Sequence, residues 1–318
     1  MPTRPPAEPS YDVVDDRFDA LVDPGARLHH LASDCTWAEG PVYLPDDDAL
    51  LWSDVRSNRL MRLDVASGDV TVAVQPAGFC NGHTLDHEGR VIACEHGTRS
   101  VVRFEPDGSR TVLAERFDGK RLNSPNDVVV AGDGAVWFTD PTYGIDSDAE
   151  GYAAESEIGA SNVYRADLST GIVTAEVIDM VRPNGLAFTP DESVLYVADT
   201  GISHVADGPR HIRAYDVVGS HVVGGGAVFA TCPDGVFDGF RLDADGRIWA
   251  SGLQGVHCYL PDGNLIGTIR LPEVCANVEF GGADLRTLFM TANTSLYSLR
   301  VAARGLTRVR SWQADDRA

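Results

Sequence analysis

Positive charge is scarce in this chain. Its 26 Lys and Arg residues stand against 47 Asp and Glu, a formal net charge of −21 over 318 residues. Nucleic acid and anionic membranes are therefore not expected as partners, because both are gripped by clustered basic side chains. Such acidity instead favours solubility and draws cations to the surface. Long apolar runs are missing too, and none approaches the ~20 residues that span a bilayer. The opening stretch MPTRPPAEPSYDVVDD has no apolar core segment, so no signal peptide is expected there. Its proline-rich residues 1–10 are expected to be disordered. Cysteine is present but unpatterned: Cys35, Cys80, Cys94, Cys232, Cys258 and Cys275 show no C-x-x-C spacing. That fits buried, reduced thiols better than a disulfide framework or a zinc cluster. These absences predict a cytoplasmic location. Oligomeric state leaves no signature in the sequence.

Helical periodicity is almost absent as well. In its place, short runs rich in Val, Leu, Phe, Trp and Tyr alternate with Asp-Gly turns, as in an all-β chain. The runs fall into a longer repeat: EGPVYLPDDDALLWSD, NGHTLDHEGRVIACE, NDVVVAGDGAVWFTD, NGLAFTPDESVLYVAD, DGFRLDADGRIWAS and ANVEFGGADLRTLFMTAN. Each reads as strand, acidic or glycine-containing turn, strand. A third strand follows each unit, for example SNVYRADLSTG and HIRAYDVVG, and a fourth can be read between units, as in TVLAERF. Four antiparallel strands repeated six times predict a six-bladed β-propeller. The segment ARLHHLAS, residues 26–33, precedes the first full unit. It is expected to supply the outer strand of the last blade, closing the ring and removing an open sheet edge. No shift in composition marks a second domain, so residues 11–318 are read as one propeller.

At the entry of each innermost strand the repeat places Glu39, Asn81, Asn126, Asn184, Asp238 and Asn277. Innermost strands line the central channel, so pseudo-symmetry gathers these side chains around one of its mouths. Carboxylates and amide carbonyls, with no thiol or imidazole among them, form a hard-oxygen set. It suits Ca²⁺, Mg²⁺ or Mn²⁺, with Zn²⁺ also accommodated. Turn propensity explains an Asn or Asp before Gly. It does not explain Glu39, which stands in the same register in WAEGPVY. It also leaves two carboxylates converging on a narrow axial space, where like charges repel unless a cation intervenes. Metal binding is the expectation.

A second polar set, Asp54, Glu95, Asp140, Asp199 and Asn293, ends the second strands on the same face. These side chains would orient ligands or touch substrate, although exposed strand ends serve equally well for Asp54 and Glu95. Two long insertions, at residues 141–160 and 200–210, also fall on this face. Long loops over a scaffold's mouth tend to carry function. They are read as a substrate-covering rim, with Tyr143, Tyr152 and His204 as contacts. His83 and His96, in GHTLDH and CEHG, lack zinc-ligand spacing and are read as core or surface residues.

Taken together, LNSPNDVVV, GAVWFTDPTYGI, RPNGLAFTPDESVLYVAD and DGFRLDADGRIWAS resemble the gluconolactonase family that includes senescence marker protein (regucalcin). The propeller phosphotriesterases are more distantly similar. The resemblance runs from WAEGPVY to TANTSLYSL. It implies a single divalent ion, calcium first, held by Glu39, Asn126, Asn184 and Asp238. It also places a substrate-contacting arginine near Arg121, although that branch is shorter here by Ser-Pro, and puts Asn123 beside it. The implied reaction is hydrolysis of a sugar lactone to its aldonic acid. The metal would polarise the lactone carbonyl, and Asp238 or Glu39 would take a proton from water. A hydroxide on the metal, helped by another acid, is a variant. A propeller phosphotriesterase and a non-catalytic calcium-binding propeller remain the alternatives, since a fold alone does not fix chemistry.

Overall fold

The computed structural model describes residues 5–306. In it the six sequence units become six four-stranded antiparallel blades. Blade one comprises Ala38–Leu44, Ala49–Asp54, Arg59–Asp64 and Val70–Val74, from the channel outward. Blades two to five begin on the inner strands Cys80–Leu85, Val128–Val130, Pro183–Phe188 and Phe240–Leu242. Blade six begins on Cys275–Gly281 and is completed by His29–Ala32, which pairs with Ser295–Arg300 through His30↔Tyr297. The N-terminal part of the chain thus closes the ring, as the placement of 26–33 anticipates.

Order also reaches into the segment that the sequence marks as disordered. Ala7 forms a bridge with Leu28, and Ser10–Val13 adds a fifth strand to blade five through Ser10↔Arg270. Residues 1–4 of that segment lie outside the described residues.

Strand alternation sends successive side chains to opposite faces, and in a ring of blades each face meets a neighbour. The core accordingly divides into six apolar layers, one per blade–blade interface. Trp52 of blade one packs in one layer with Phe289 and Leu296 of blade six, sealing the circle. All six cysteines are free and buried. No helix among the described residues is long and apolar enough to cross a membrane.

The recurring residue-glycine pair answers to the approach of adjacent blades rather than to a hairpin turn. Pairing breaks register at Glu39/Val42, Cys80/His83 and Pro183/Leu186, so the site residue and its glycine sit in a local bulge. The glycine then meets the backbone of the next blade. A Cβ on Gly40 would lie 1.9 Å from the Asn81 carbonyl oxygen, and its φ of +52° already disfavours any side chain. One blade on, Gly82 N–H donates to the Asn126 carbonyl at 2.8 Å; further round, Gly185 N–H donates to that of Asp238 at 3.0 Å. Backbone hydrogen bonds therefore link the site residues around the channel. Gly40→Ala is expected to lower stability by about 1–3 kcal/mol, the usual cost of overpacking, read as a shifted midpoint in urea unfolding.

Candidate active site

The entries of the inner strands deliver Glu39, Asn81, Asn126, Asn184 and Asp238 to the floor of a cavity of about 410 Å³. Its walls come largely from the two inserted loops, which contribute Tyr143, Asp146, Ser147, Ala149, Glu150, Thr200, Ser203 and His204. Ion pairs hold the first loop down: Arg182 to Asp146 at 2.6 Å and Arg56 to Glu150 at 2.8 Å. The rim assigned from loop length is therefore where the sequence places it.

On the floor, acceptors outnumber donors. Glu39 Oε2, Asn81 Oδ1, Asn126 Oδ1 and Asn184 Oδ1 are all buried without a hydrogen-bond partner among the described residues. Their orientation follows from the bonds behind them. His96 Nδ1 lies 3.0 Å from the Glu150 carbonyl, an acceptor only, so this nitrogen carries the proton. The Nε2 lone pair then accepts from the Asn81 Nδ2 amide at 3.3 Å, which turns Asn81 Oδ1 into the cavity. Asn184 bonds the Asp238 carboxylate through its side chain, leaving its own oxygen free. Asn277 Nδ2 donates to Glu39 Oε1 at 3.2 Å, leaving Glu39 Oε2 free.

Two carboxylates share this floor. Burial pushes Asp238 up to about 7, and repulsion from Asp127 adds to the shift. Burial raises Glu39 well above the usual carboxylate range, with Asp238 and then Asp127 contributing. The nearby cation Arg241 is committed elsewhere, to Glu279 at 2.9 Å and, more distantly, to Asp127 at 3.8 Å. Unpartnered oxygens around carboxylates that resist ionising together fit a divalent cation, and an all-oxygen set fits a hard one.

Several residues fall elsewhere than the sequence reading puts them. Asn277 belongs to the repeat but does not line the cavity; it is fully buried behind Glu39. Asn123 is fully buried as well, its amide bonded to the Asp140 and Ala160 carbonyls and its oxygen to Ser156. Arg121 sits on the short strand Lys120–Arg121 and reaches the Thr98 carbonyl at 2.8 Å. Neither Arg121 nor Asn123 lines the cavity, so both are corrected from substrate contacts to loop ties. Tyr152 is 59% exposed against Phe79, outside the cavity.

The carboxylates of the second polar set are buried, and the set ties loops and blades together. Asp54 accepts from Thr36, Trp37 and Arg59, and Asp199 accepts from the Val181, Arg182 and Gly201 amides. Glu95 pairs with Arg110 at 2.6 Å, and Asp140 accepts from the Asn123 amide at 2.8 Å. Asn293 joins blades through its backbone carbonyl, which accepts from Ala38. His83 is a core residue, bonded to the Gly40 carbonyl at 2.7 Å and pushed down to about 4 by burial. His96 is the residue that sequence reasoning missed, because nothing in CEHG signals its contact with Asn81 some 15 positions earlier.

Residues 37–294 match the model of the SMP-30/gluconolactonase/LRE-like region. The chain belongs to this family. The match begins just before Glu39 and contains every oxygen donor of the cavity floor. A gluconolactonase of Zymomonas mobilis is 29% identical over 313 residues, covering 91% of this chain and 85% of that protein. A pentonolactonase of Haloferax volcanii is 29% identical over 265 residues, covering 81% of each. The solved structure of a gluconolactonase from Xanthomonas campestris is 34% identical, with a TM-score of 0.87 over 95% of this chain and 99% of that one. Within this family's propeller, Asn277 is the residue that aims Glu39. If the oxygen floor holds a divalent ion, Asn277→Ala is expected to weaken its binding roughly 10–100-fold, as losses behind a ligand do, and isothermal titration with calcium against the unaltered protein reads the change.

Proposed function

We propose that the protein is a divalent-metal-dependent sugar lactonase, opening an aldonolactone to its aldonic acid. The observation that carries this reading is the group of unpartnered oxygens of Glu39, Asn81, Asn126 and Asn184 around one cavity shared with Asp238. Its relatives act on such lactones, and its rim of hydroxyls and carboxylates suits a polyhydroxylated ring better than an apolar ester. Glu39, Asn126, Asn184 and Asp238, with Asn81, would hold the ion; calcium fits best, and magnesium, manganese or zinc would also be accepted. When bound, the ion supplies Lewis-acid polarisation of the ester carbonyl.

The chain's own groups supply the proton chemistry. Asp238, ionised and facing the same cavity, is the base that takes a proton from the attacking water. Glu39, more deeply buried and tied by Asn277, is the positioning carboxylate. As the ester C–O bond breaks, the ring oxygen must gain a proton to leave as a hydroxyl.

The proton that Asp238 takes from the water balances this step, and His204 stands at the cavity mouth. Ser203 donates its hydroxyl proton to the Thr200 carbonyl at 2.7 Å, so it accepts from His204 Nδ1–H at 2.8 Å. His204 Nε2 is thereby left as an acceptor for a substrate hydroxyl. Thr200 donates to the Arg182 carbonyl at 3.1 Å, so the Tyr143 hydroxyl donates to Thr200 and keeps its lone pairs for a substrate hydroxyl.

Hydrolysis of gluconolactone, galactonolactone, xylonolactone and paraoxon, each with calcium or with EDTA, tests the reading. Calcium-dependent turnover of an aldonolactone is expected. Turnover of paraoxon alone would replace the lactonase with a phosphotriesterase, and turnover of none would leave a binding propeller.

A further inference from the structure

A second cluster of metal-binding donors lies outside the cavity. Cys232 follows the outer strand of blade four, His221–Thr231, and Asp234 sits in the connector to blade five. His257 is on the third strand of blade five, Gly255–Tyr259. One ligand atom from each residue lies within 4.8 Å of the others, and no other group of three His, Cys, Asp or Glu among the described residues converges in this way. His257 Nε2 is 2.7 Å from Asp234 Oδ1, and Cys232 Sγ is 3.8 Å from the same oxygen. Cys232 is fully buried and His257 is 3% exposed.

We propose that Cys232, Asp234 and His257 form a second metal site, selective for zinc or another borderline-soft divalent ion. An Asp–His pair backed by Thr268 would clamp the connector by itself. The Cys232 thiol meets the Asp234 carbonyl at 3.3 Å as well as the carboxylate, and its convergence with the pair completes three protein ligands of the N, O, S type that zinc takes. Zinc bonds of about 2.0 and 2.1 Å to nitrogen and oxygen require Asp234 and His257 to part by about half an ångström.

The proton changes can be followed atom by atom. Without metal, Nε2–H is shared with Asp234 Oδ1, while Thr268 Oγ1 stands 2.9 Å from Nδ1. A hydroxyl can donate or accept, so Thr268 lets the ring proton move to Nδ1 and frees the Nε2 lone pair for the ion. The thiol proton leaves to solvent as the sulfur–metal bond forms. Burial otherwise pushes that thiol up to about 12, so without an ion it is neutral and inert. Asp234 Oδ2 stays with the Gln254 amide at 3.1 Å, so Oδ1 is the oxygen that binds. The Asp234 side chain is 13% exposed, which gives the ion a route in from solvent.

Occupancy would fasten the connector to blade five just upstream of Val236 and Asp238, both of which line the cavity. The site does not depend on the lactonase reading. Its softer donors also separate it from the oxygen cavity, which saturating calcium would fill.

The test is a Co²⁺ titration of the full chain in saturating calcium, followed by absorption. One equivalent of a near-ultraviolet sulfur-to-cobalt charge-transfer band is expected, and Zn²⁺ should bleach it. Cys232→Ser should abolish the band, and His257→Gln should weaken cobalt binding by at least about 10-fold. Absence of the band in the unaltered protein would overturn the proposal however the variants behave. So would a band that survives Cys232→Ser.

Discussion

Asp238→Asn is expected to remove most lactone turnover while leaving the propeller folded. General-base assistance contributes about 10²–10⁴-fold, so a fall in kcat of that size is the expected result at saturating metal. The substitution keeps the shape of the side chain and its contact with Asn184, and it removes one of the two carboxylates that resist sharing the floor. Unfolding in EDTA near pH 8 should therefore be no easier than in the parent protein, and a small gain in stability is expected. Because Asp238 also faces the ion, weaker metal binding could mimic a loss of base. Calorimetric titration of each protein with calcium sets the concentration at which both are loaded, and kcat is then compared there. The acidic limb of the pH–rate profile supplies a second readout, since it should disappear with the base. Parental kcat at full metal loading would remove Asp238 from the chemistry.

The sequence showed the ring of donors because propeller symmetry repeats it. Glu39, Asn81, Asn126, Asn184 and Asp238 occupy one register of successive inner strands, so aligning the chain with itself was enough to bring them together. The same symmetry over-reached at Asn277. Its backbone position is equivalent, yet its side chain turns to Glu39 and to the amide of Val278 instead of the channel. Rotamers are chosen by local partners, and a repeat does not encode them.

The second-strand carboxylates were visible for the same reason as the ring, but their purpose was not. Asp54 and Asp199 saturate loop amides that would otherwise be buried without acceptors, a need that exists only once the loops have packed. Arg121 and Asn123 lie close in sequence to Asn126 but turn elsewhere, Arg121 toward Thr98 and Glu157 and Asn123 toward Asp140, Ser156 and Ala160. His96 illustrates the converse case. It sets the orientation of Asn81 through a contact between strand ends that no local pattern announces.

Stability of the metal-free protein should fall as pH rises from about 6.5 to 8, above the range in which the buried His83 and His96 oppose the trend, whereas stability of the calcium-loaded protein should not. Unfolded Asp and Glu side chains titrate near pH 4, while the folded chain without a cation holds its proton on Asp238 up to about pH 7 and on Glu39 well above the usual range. Between those limits the folded state carries protons that the unfolded state has released. The stabilisation they supply is complete below about pH 4 and is lost as pH climbs through the native value of Asp238. Calcium reverses the balance, since its ligands bind as carboxylates and its affinity grows as they deprotonate. The gap between loaded and EDTA-treated protein should widen with pH, reaching about 4 kcal/mol once free calcium is a thousand times its Kd. Thermal unfolding at several pH values, with and without EDTA, measures it. Glu39→Gln provides the internal comparison. It removes one of the competing charges, so the metal-free slope should flatten and the calcium-induced gap should shrink together. A gap that ignored pH, or a metal-free slope that Glu39→Gln left unchanged, would mean that Glu39 and Asp238 ionise without a cation between them. The oxygen floor would then have another occupant, or none.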